Sequence, residues 1–436
     1  MSGFVSTRDP RHCASFRAAV EANLAPDGGL YLPAELRPLP HVGELLAMDF
    51  MPRSIAVLEH LTRGELGVSL PAVVERAFNF PVPLAPITER ISSLELFHGP
   101  TLAFKDFGAR FLAEVLELFG NAEAAPRLIL TATSGDTGGA VAHAFHGREG
   151  VKVAVLYPRG LVSPLQEKQF AALGGNVTAF AVDGSFDDCQ ALVKACFADP
   201  ELSRELRLTS ANSINLARLL AQVPYAFEAV AQWQRVTGGE APVIAVPSGN
   251  FGNLAAALIA RRLGLPVRAF VAATNANATV PEFLAGSPYR PRPSVATLSN
   301  AMDVGAPNNW ERVVALFEGD ETCLRRELRG AVATEADTRR ALRKLAALDN
   351  LADPHTAVAF HGLEQTLRPG ERGILFATAH PAKFREVVEP EVGRTIPLPP
   401  ALKALESLPS LALFLDNNVE RLKALLRHVS SGRCPR

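Results

Sequence analysis

The chain has 436 residues, 48% of them hydrophobic, and its 44 basic residues nearly balance its 45 acidic residues. A chain of this length usually folds as more than one domain, and balanced charge gives no support to binding of nucleic acid or of a membrane surface. The sequence contains no apolar run long enough to span a bilayer and no secretory signal pattern. We therefore expect two or three packed domains in a soluble, cytoplasmic protein.

Lysine is rare in this sequence. Only eight of the 44 basic residues are lysines, and none precedes Lys105. Arginine stays protonated in proteins, whereas lysine can lose its proton and act as a base or as a Schiff-base nucleophile. A general bias toward arginine is enough to explain the count, so a chemical role for any one lysine has to be argued from its neighbours.

The five cysteines are too few and too scattered for a disulfide framework, and no C-x-x-C pair indicates structural zinc. This pattern favours free thiols in a reducing compartment. Cys189 and Cys196 lie seven residues apart on a predicted helix, and we expect both to be buried on one face of it. The remaining cysteines are Cys13, Cys323 and Cys434.

Two regions of alternating strands and helices follow an amino-terminal region of short helices and loops. This alternation predicts parallel sheets covered on both faces. An arginine-rich stretch at residues 320–348 predicts a solvent-exposed helical surface, and the last forty residues predict a helical appendage. The predicted strands are residues 127–132, 151–157, 176–182, 241–246, 267–274 and 373–378, and the predicted helices are 140–146, 164–173, 185–197 with Ser185 as its cap, and one ending at residue 263.

Two glycine-rich segments each follow a predicted strand and open a predicted helix. The first turn, residues 134–139, reads Ser-Gly-Asp-Thr-Gly-Gly, and the second turn, residues 247–253, reads Pro-Ser-Gly-Asn-Phe-Gly-Asn. Backbone N–H groups and the helix dipole bind anions at such positions, although many turns of this kind merely connect elements. Neither matches the dinucleotide fingerprint, and the chain has no P-loop.

Lys105 lies at the start of an apolar-periodic helix, between Phe104 and Phe107. Aromatic neighbours would desolvate the ammonium group and lower its pKa, which is the condition for attack on an aldehyde. The alternative is an exposed lysine paired with Asp106. A phosphate site together with a partly buried lysine matches the needs of pyridoxal phosphate, and the hydroxyl of Thr378, after the last strand, could meet the ring nitrogen.

Three histidines, His98, His143 and His380, are candidates for acid–base chemistry. Each is explained at least as well by hydrogen-bonded packing in a turn or beside a helix. A fourth, His355, is expected at the start of a helix that Asp353 caps.

The order of these segments resembles the threonine synthases of the bacterial and fungal type, which are fold-type II pyridoxal-phosphate enzymes. The strongest likeness is Phe-His-Gly-Pro-Thr-Leu-Ala-Phe-Lys-Asp-Phe-Gly at residues 97–108, and the likeness runs from residue 1 to about residue 390. The segments that carry it are residues 6–8, 27–33, 95–108, 131–138, 158–160, 163–168, 210–215, 247–252, 299–304 and 378–384.

The resemblance implies an α/β fold with two parallel-sheet domains and an active-site cleft between them, similar to the β subunit of tryptophan synthase. Amino- and carboxy-terminal helical additions complete the expected fold. We expect an amino-terminal domain, a smaller α/β domain with the cofactor lysine and the substrate-binding loop, a larger cofactor-binding domain and the appendage at residues 1–92, 93–240, 241–390 and 391–436, respectively.

The resemblance also implies pyridoxal 5'-phosphate as cofactor and conversion of O-phospho-L-homoserine and water to L-threonine and phosphate. Lys105 would hold the cofactor through a Schiff base and then move protons on the substrate. Thr378 would meet the pyridine nitrogen, and Asp136 would lie near the 3' oxygen of the ring, where many fold-type II relatives have Asn. The cofactor phosphate would be held by Gly249, Asn250, Phe251, Gly252 and Asn253.

For the substrate, the resemblance implies two sets of contacts. Asn212 and Arg218 resemble the residues that clamp the substrate phosphate, and the bidentate guanidinium of arginine suits that task. Lys168 is either a further positive charge nearby or a solvent-exposed helix lysine. Hydroxyls and N–H groups at a helix start come from Thr133, Ser134 and Thr137.

Two other functions remain compatible with the residues. A lyase such as a threonine dehydratase would use the same cofactor but has no need of a phosphate clamp at Asn212 and Arg218. A non-catalytic nucleotide- or phosphate-binding protein has no need of Lys105. The sequence leaves monomer or homodimer open.

Overall fold

The computed structural model describes residues 3–120 and 126–431. Within these residues the chain forms three sheets. In chain order the strands are β1 (Phe4–Ser6), β2 (Cys13–Ala14), β3 (Tyr31–Pro33), β4 (Leu84–Pro86), β5 (Ile91–Glu95), β6 (Arg127–Ala132), β7 (Val151–Pro158), β8 (Val177–Val182), β9 (Leu208–Thr209), β10 (Val243–Pro247), β11 (Ala269–Thr274), β12 (Leu328–Val332), β13 (Gly373–Ala377) and β14 (Leu413–Leu415).

Helices occupy most of the chain between these strands. The α-helices are α1 (Phe16–Ala22), α2 (Val42–Ala47), α3 (Phe50–Leu61), α4 (Leu70–Ala77), α5 (Lys105–Leu118), α6 (Asp136–Phe145), α7 (Pro164–Ala171), α8 (Phe186–Phe197), α9 (Pro200–Glu205), α10 (Leu216–Leu220), α11 (Val223–Thr237), α12 (Gly252–Arg262), α13 (Thr279–Leu284), α14 (Trp310–Leu316), α15 (Glu321–Glu327), α16 (Glu335–Ala347), α17 (Pro354–Thr366), α18 (Arg385–Val392), α19 (Pro400–Lys403) and α20 (Val419–Ser430). Short 3-10 helices lie at Gly67–Ser69, Asn300–Met302 and Pro381–Phe384.

The larger sheet has six strands in the order β12-β11-β10-β13-β5-β4. Its strands run parallel except β4, which pairs antiparallel with β5 at the edge. Every residue of β10, β11 and β13 is buried, as expected for strands covered by helices on both faces. The parallel sheet predicted from these apolar runs is confirmed.

The smaller sheet has five parallel strands in the order β14-β8-β7-β6-β9. The capping residue predicted from the sequence for one of its helices is confirmed. Ser185 caps α8 in a capping box with Asp188, in which each side chain accepts the other's backbone N–H. The predicted burial of Cys189 and Cys196 on one face of α8 is also confirmed.

Three features of the fold differ from the sequence-based expectations. Residues 320–348 are not one helical surface, because β12 lies between α15 and α16 and forms the edge of the larger sheet. Arg329 in β12 pairs with Glu371, so the charged residue hid the strand from a search for apolar runs. The amino-terminal region includes a small antiparallel sheet, in the order β2-β1-β3.

The third difference concerns the carboxy-terminal segment. Its described part contains β14, which pairs with β8 and extends the smaller sheet, so it is not purely helical. Residues 432–436, with Cys434, lie outside the described residues. The expected domain boundaries stay a prediction, although the larger sheet draws β4 and β5 from residues before the smaller sheet begins. Across the described ranges, no helix combines the length and apolar character needed to cross a bilayer.

Candidate active site

A cavity of about 1280 Å³ opens where the carboxyl ends of β6, β10 and β13 meet the loops that follow them. Carboxyl ends of parallel strands are the usual position of ligand sites in α/β folds. The structure brings together the thirteen residues assigned from the sequence to cofactor and substrate. The cavity is lined by Lys105, Thr133, Ser134, Asp136, Thr137, Asn212, Arg218, Gly249, Asn250, Phe251, Gly252, Asn253 and Thr378.

The second turn presents its backbone to the cavity. Phe251 adopts a left-handed conformation with φ of 60°, and its ring packs on Trp310 with centroids 5.6 Å apart. Gly249 lies so close to the 300–302 segment that a Cβ there would come within 2.7 Å of the Cα of Met302. Among the described residues, the N–H groups of residues 249–253 have no acceptor. Five free donors at the start of α12 form a site for a phosphate dianion.

Asn253 adds a side-chain donor to this site. Its Oδ1 accepts a hydrogen bond of 2.8 Å from the hydroxyl of Tyr225, which fixes the orientation of the amide. Its Nδ2 is buried and has no partner within the described chain. A buried donor without a partner costs free energy, so its presence here indicates a ligand that accepts the hydrogen bond.

Lys105 is the first residue of α5, and its ammonium lies 4.8 Å from the centroid of the Phe104 ring. Burial is the main cause that lowers the pKa of Lys105 to about 8, with Asp136 opposing the shift and Arg218 and Lys383 adding to it. An amine with this pKa has a substantial neutral fraction near neutral pH and can attack an aldehyde.

The alternative pairing of Lys105 with Asp106 is wrong. Both oxygens of Asp106 are taken by Thr101, at 2.9 Å from its backbone N–H and 2.7 Å from its hydroxyl. Burial raises the pKa of Asp106 to about 6. The carboxylate near Lys105 is Asp136, since Asp136 and not Asp106 raises the pKa of the lysine.

Asp136 is buried at the start of α6 and does not act alone. Its Oδ1 lies 2.7 Å from the ammonium of Lys383 and accepts a hydrogen bond of 2.7 Å from the amide of Gln166. Burial opposes ionisation, but Lys383, Lys105 and Gln166 together hold the pKa of Asp136 below its usual value. The sequence analysis missed Lys383, and the available signal was a rare lysine in the segment that follows β13.

The first turn is built differently from the second. The hydroxyl of Thr133 accepts hydrogen bonds from the N–H groups of Gly135 and Gly138, at 2.9 and 2.8 Å, and donates to the Gly135 carbonyl. The expected role of the Thr133 hydroxyl in substrate binding therefore competes with its use inside the turn. Ser134 and Thr137 are half-buried and line the cavity.

Arg218 carries the strongest sign of an anionic ligand. Its side chain is buried, it donates to the carbonyl of Ala211, and its Nε has no partner in the described part of the chain. Burial lowers the pKa of Arg218 to about 10, without an opposing carboxylate. Asn212 lines the same wall, with its Oδ1 held by the Thr131 hydroxyl at 2.6 Å. An uncompensated buried guanidinium is costly unless an anion joins it.

Hydrogen-bonded packing, the structural alternative, holds for His98 and His380, whereas His143 is exposed on α6. His98 contacts Glu95 at 2.7 Å, and neither His98 nor His143 lines the cavity. The Nδ1 of His380 accepts the N–H of Ala382 and caps a 3-10 helix. Asp353 caps α17 as expected, through the N–H of His355.

His355 is a lining residue that the sequence analysis assigned only to a helix start. Its Nδ1 contacts Asp353 at 2.6 Å, and its Nε2 accepts the N–H of Ala301 at 3.2 Å. These contacts hold the segment that packs against Gly249. Lys168 lies outside the cavity, in a separate groove with Arg385 and Glu406, so it adds no charge to this site.

The residues present fit pyridoxal phosphate. Five free backbone donors and the unpaired amide of Asn253 suit a phosphate group, and a lysine of lowered pKa suits an aldehyde. Thr378 lines the same cavity. The comparisons agree with this reading of the site. A model of the pyridoxal-phosphate dependent enzymes matches residues 92–377, so fold and cofactor are those of this class.

Two further family models match the ends of the chain: the threonine synthase N terminus over residues 3–78 and the threonine synthase C-terminal region over residues 356–426. The chain belongs to the threonine synthase family. The likeness therefore continues past residue 390, where the sequence analysis ended it.

Individual relatives cover nearly the whole chain. Threonine synthases from Serratia marcescens and Escherichia coli K12 are each 49% identical over 422 residues, which is 96% of this chain and 97% and 98% of theirs. The crystal structure of the Escherichia coli enzyme has a TM-score of 0.92 at 47% identity, covering 98% of this chain and 99% of that chain. A pyridoxal-phosphate-bound threonine synthase from Brucella melitensis has a TM-score of 0.91 at 33% identity, covering 99% of this chain and all of that chain.

Proposed function

We propose that the protein converts O-phospho-L-homoserine and water to L-threonine and phosphate. The observation that carries this proposal is one cavity that holds both an amine of lowered pKa, Lys105, and a second anion site at Arg218, apart from the turn at residues 249–253. Two phosphate groups, one of the cofactor and one of the substrate, would use these two sites.

The cofactor site is assigned from the donors available. The N–H groups of residues 249–253 and the Nδ2 of Asn253 would hold the cofactor phosphate, and the neutral hydroxyl of Thr378 would meet the ring nitrogen. Asp136 would lie by the ring oxygen. When bound, pyridoxal phosphate supplies an electron sink that makes the C–H bonds of an attached amino acid acidic.

Lys105 has two tasks in this proposal. Its neutral amine would hold the cofactor through the aldehyde, and its free form would accept and return protons at the α, β and γ carbons of the substrate. An amine with a pKa of about 8 can both accept and donate a proton at neutral pH. The ring of Phe104, whose centroid lies 4.8 Å from the amine nitrogen, contributes to its desolvation.

The substrate site is assigned to the opposite wall. Arg218 and Asn212 clamp the phosphate that leaves, and the hydroxyls of Ser134 and Thr137 bind the amino-acid end at the start of α6. Thr133 acts through the turn, because its hydroxyl holds the N–H groups of Gly135 and Gly138. The clamp favours a phosphorylated substrate over the hydroxy amino acid of a dehydratase.

The test is an assay of phosphate and threonine formation from O-phospho-L-homoserine. Arg218→Met should raise KM for this substrate by about 10- to 100-fold, because a charge-assisted hydrogen bond contributes roughly 1.5–3 kcal/mol. The same variant should unfold at higher denaturant concentration, because it removes a buried charge that has no carboxylate partner. A structural role for Arg218 would give the opposite change in stability.

Lys105→Ala should abolish both turnover and the visible absorption of the bound cofactor. Arg340→Met on the exposed face of α16 is the control, with unchanged KM and absorption expected. Formation of 2-oxobutanoate in place of threonine would favour the dehydratase, and a colourless protein that takes up no pyridoxal phosphate would exclude both lyases.

We also propose that the protein is located in the cytoplasm. Cys189 and Cys196 are buried free thiols whose pKa values burial raises, to about 12 and about 11, so they are inert structural residues and not redox groups.

A further inference from the structure

Lys383 is fully buried and makes two contacts. Its ammonium lies 2.7 Å from Oδ1 of Asp136 and donates a hydrogen bond of 2.8 Å to the carbonyl of Thr101. Both side chains of the ion pair are shielded from solvent, with exposed fractions of 0% for Lys383 and 4% for Asp136. A buried pair of this kind is not accounted for by the cofactor and substrate roles proposed above.

The pair connects the two α/β units of the molecule. Lys383 follows β13 of the larger sheet, whereas Asp136 begins α6, which follows β6 of the smaller sheet. Gln166, on α7, donates to the same oxygen of Asp136 that Lys383 contacts. One carboxylate oxygen thus receives a charged donor from one unit and an amide donor from the other.

The surroundings of Asp136 are rich in positive charge. The cationic groups near Lys105 are Lys383 and Arg218, and both lower the pKa of Lys105, whereas Asp136 raises it. Asp106 also faces Lys383 but is held by Thr101, and His380, whose pKa is lowered to about 4 mainly by burial, is neutral near pH 7. The negative charge of Asp136 therefore compensates the positive charges of Lys383 and Lys105.

We propose that Lys383 is a positioning residue that keeps Asp136 ionised beside Lys105, so that a carboxylate and not a carboxylic acid faces the cofactor site. A comparison of two buried aspartates, Asp106 and Asp136, shows why this needs a lysine. Asp106 receives two hydrogen bonds from Thr101 but no direct ion pair, and burial raises its pKa to about 6. Asp136 is as deeply buried, yet its pKa is lowered, with Lys383 as the largest favourable cause.

The consequence concerns the proton content of the site. A carboxylate only accepts hydrogen bonds, whereas a carboxylic acid can also donate one. Without Lys383, Asp136 would keep the amide donor of Gln166 but lose its direct charge partner, and an opposite charge at this distance shifts a carboxyl pKa by about 1–3. Asp136 would then take up a proton closer to neutral pH.

The test is a pH titration of the visible absorption of the holoenzyme. In Lys383→Met the absorption should show a titration step at about pH 6 or above, close to the pKa that burial gives Asp106. The unmodified protein should show no step in this range. The step should disappear in the double variant Lys383→Met/Asp136→Asn, which has no carboxyl group to titrate. Loss of packing alone would not create a step that depends on Asp136.

Three further variants separate charge from packing. Lys383→Arg keeps the charge and should titrate like the unmodified protein, while Lys383→Gln keeps a donor for the Thr101 carbonyl and should behave like Lys383→Met. Lys344→Met, which removes an exposed lysine paired with Glu364, is the matched control and should change nothing. If Lys383→Gln titrates like the unmodified protein, the hydrogen bond to Thr101 and not the charge is what matters, and the proposal is overturned.

The inference rests on the proposed function because its first readout requires bound cofactor. An infrared measurement at pH 5 on the protein without added cofactor separates the two. A protonated-carboxyl band that is present in Lys383→Met or Lys383→Gln and lost with Asp136→Asn supports the proposal even if no visible absorption is found. Absence of that band from both variants overturns it.

Discussion

The two glycine-rich turns share a sequence pattern and a position, yet they present different groups to the cavity. The second turn leaves the N–H groups of residues 249–253 without acceptors and sends the Phe251 ring into the core. The first turn ties two of its N–H groups to Thr133 and places the carboxylate of Asp136 at the helix start. One turn is thus a backbone site for an anion, and the other is a scaffold for side chains. A strand–glycine–helix pattern predicts where a site lies but not which groups it offers.

The largest expected effect is on cofactor affinity and comes from a substitution that distorts the second turn. Gly249→Ala should weaken pyridoxal phosphate binding by at least about 100-fold, because the new Cβ would lie 2.7 Å from the Cα of Met302 and 2.8 Å from the Ala301 carbonyl. Neither neighbour is a flexible side-chain end, so the turn itself must move. The measurement is the dissociation constant of the cofactor, from the visible absorption.

Gly43→Ala is the control for this variant, since a Cβ at that helix position meets nothing within 4 Å. Gly252→Ala gives a graded comparison, because its Cβ would meet the Asn309 amide at 3.4 Å and the Cβ of Ser213 at 3.8 Å, both ordinary contacts with side chains. Equal cofactor affinities for the Gly249 and Gly252 variants would contradict the close packing of the turn.

The next effect concerns the scaffold role of the first turn. Thr133→Val removes the acceptor of two buried N–H groups and should lower the free energy of unfolding by about 2 kcal/mol, measured by urea denaturation. Thr137→Val removes a hydroxyl that lines the cavity and should raise KM for the substrate with little change in stability. If Thr133→Val left stability intact but raised KM, its hydroxyl would belong to the substrate site instead.

The smallest expected effect is a pH dependence at Lys105. Capture of pyridoxal phosphate by the protein without cofactor should become about fivefold faster from pH 7 to pH 8 and level off above, because only the neutral amine attacks and the pKa is about 8. Stopped-flow absorption measures this rate. Asp136→Asn should move the rise to lower pH, since Asp136 raises the pKa of Lys105. A rate that still increases through pH 10 would show that burial does not lower this pKa.

Much of the fold was predictable because the parallel strands are buried on both faces. Strands β6, β7, β8, β10, β11 and β13 appear in the sequence as apolar runs of the right length. Strand β12 did not, because it is an edge strand with an arginine, and β14 did not, because three residues beside a helix give no periodic signal. Edge strands are defined by the neighbour with which they pair, and that neighbour is distant in sequence.

The same division holds within the site. Lys105 was found because its aromatic neighbours are adjacent in the chain, and both turns were found because glycines at the end of a strand form a local pattern. Lys383, His355 and Tyr225 act on residues about 250, 54 and 28 positions away, on Asp136, Ala301 and Asn253, and no local pattern shows such contacts.

The sequence by itself determined which groups could do the chemistry: one lysine where a Schiff base needs an amine, two glycine-rich turns and an arginine that follows β9. Only the tertiary structure decided their charge states. Folding desolvated the half-buried Lys105, left Arg218 without a carboxylate, and gave Asp136 the ion pair that Asp106 lacks. Protonation depends on desolvation and on charges within a few ångströms, and both are properties of the folded chain.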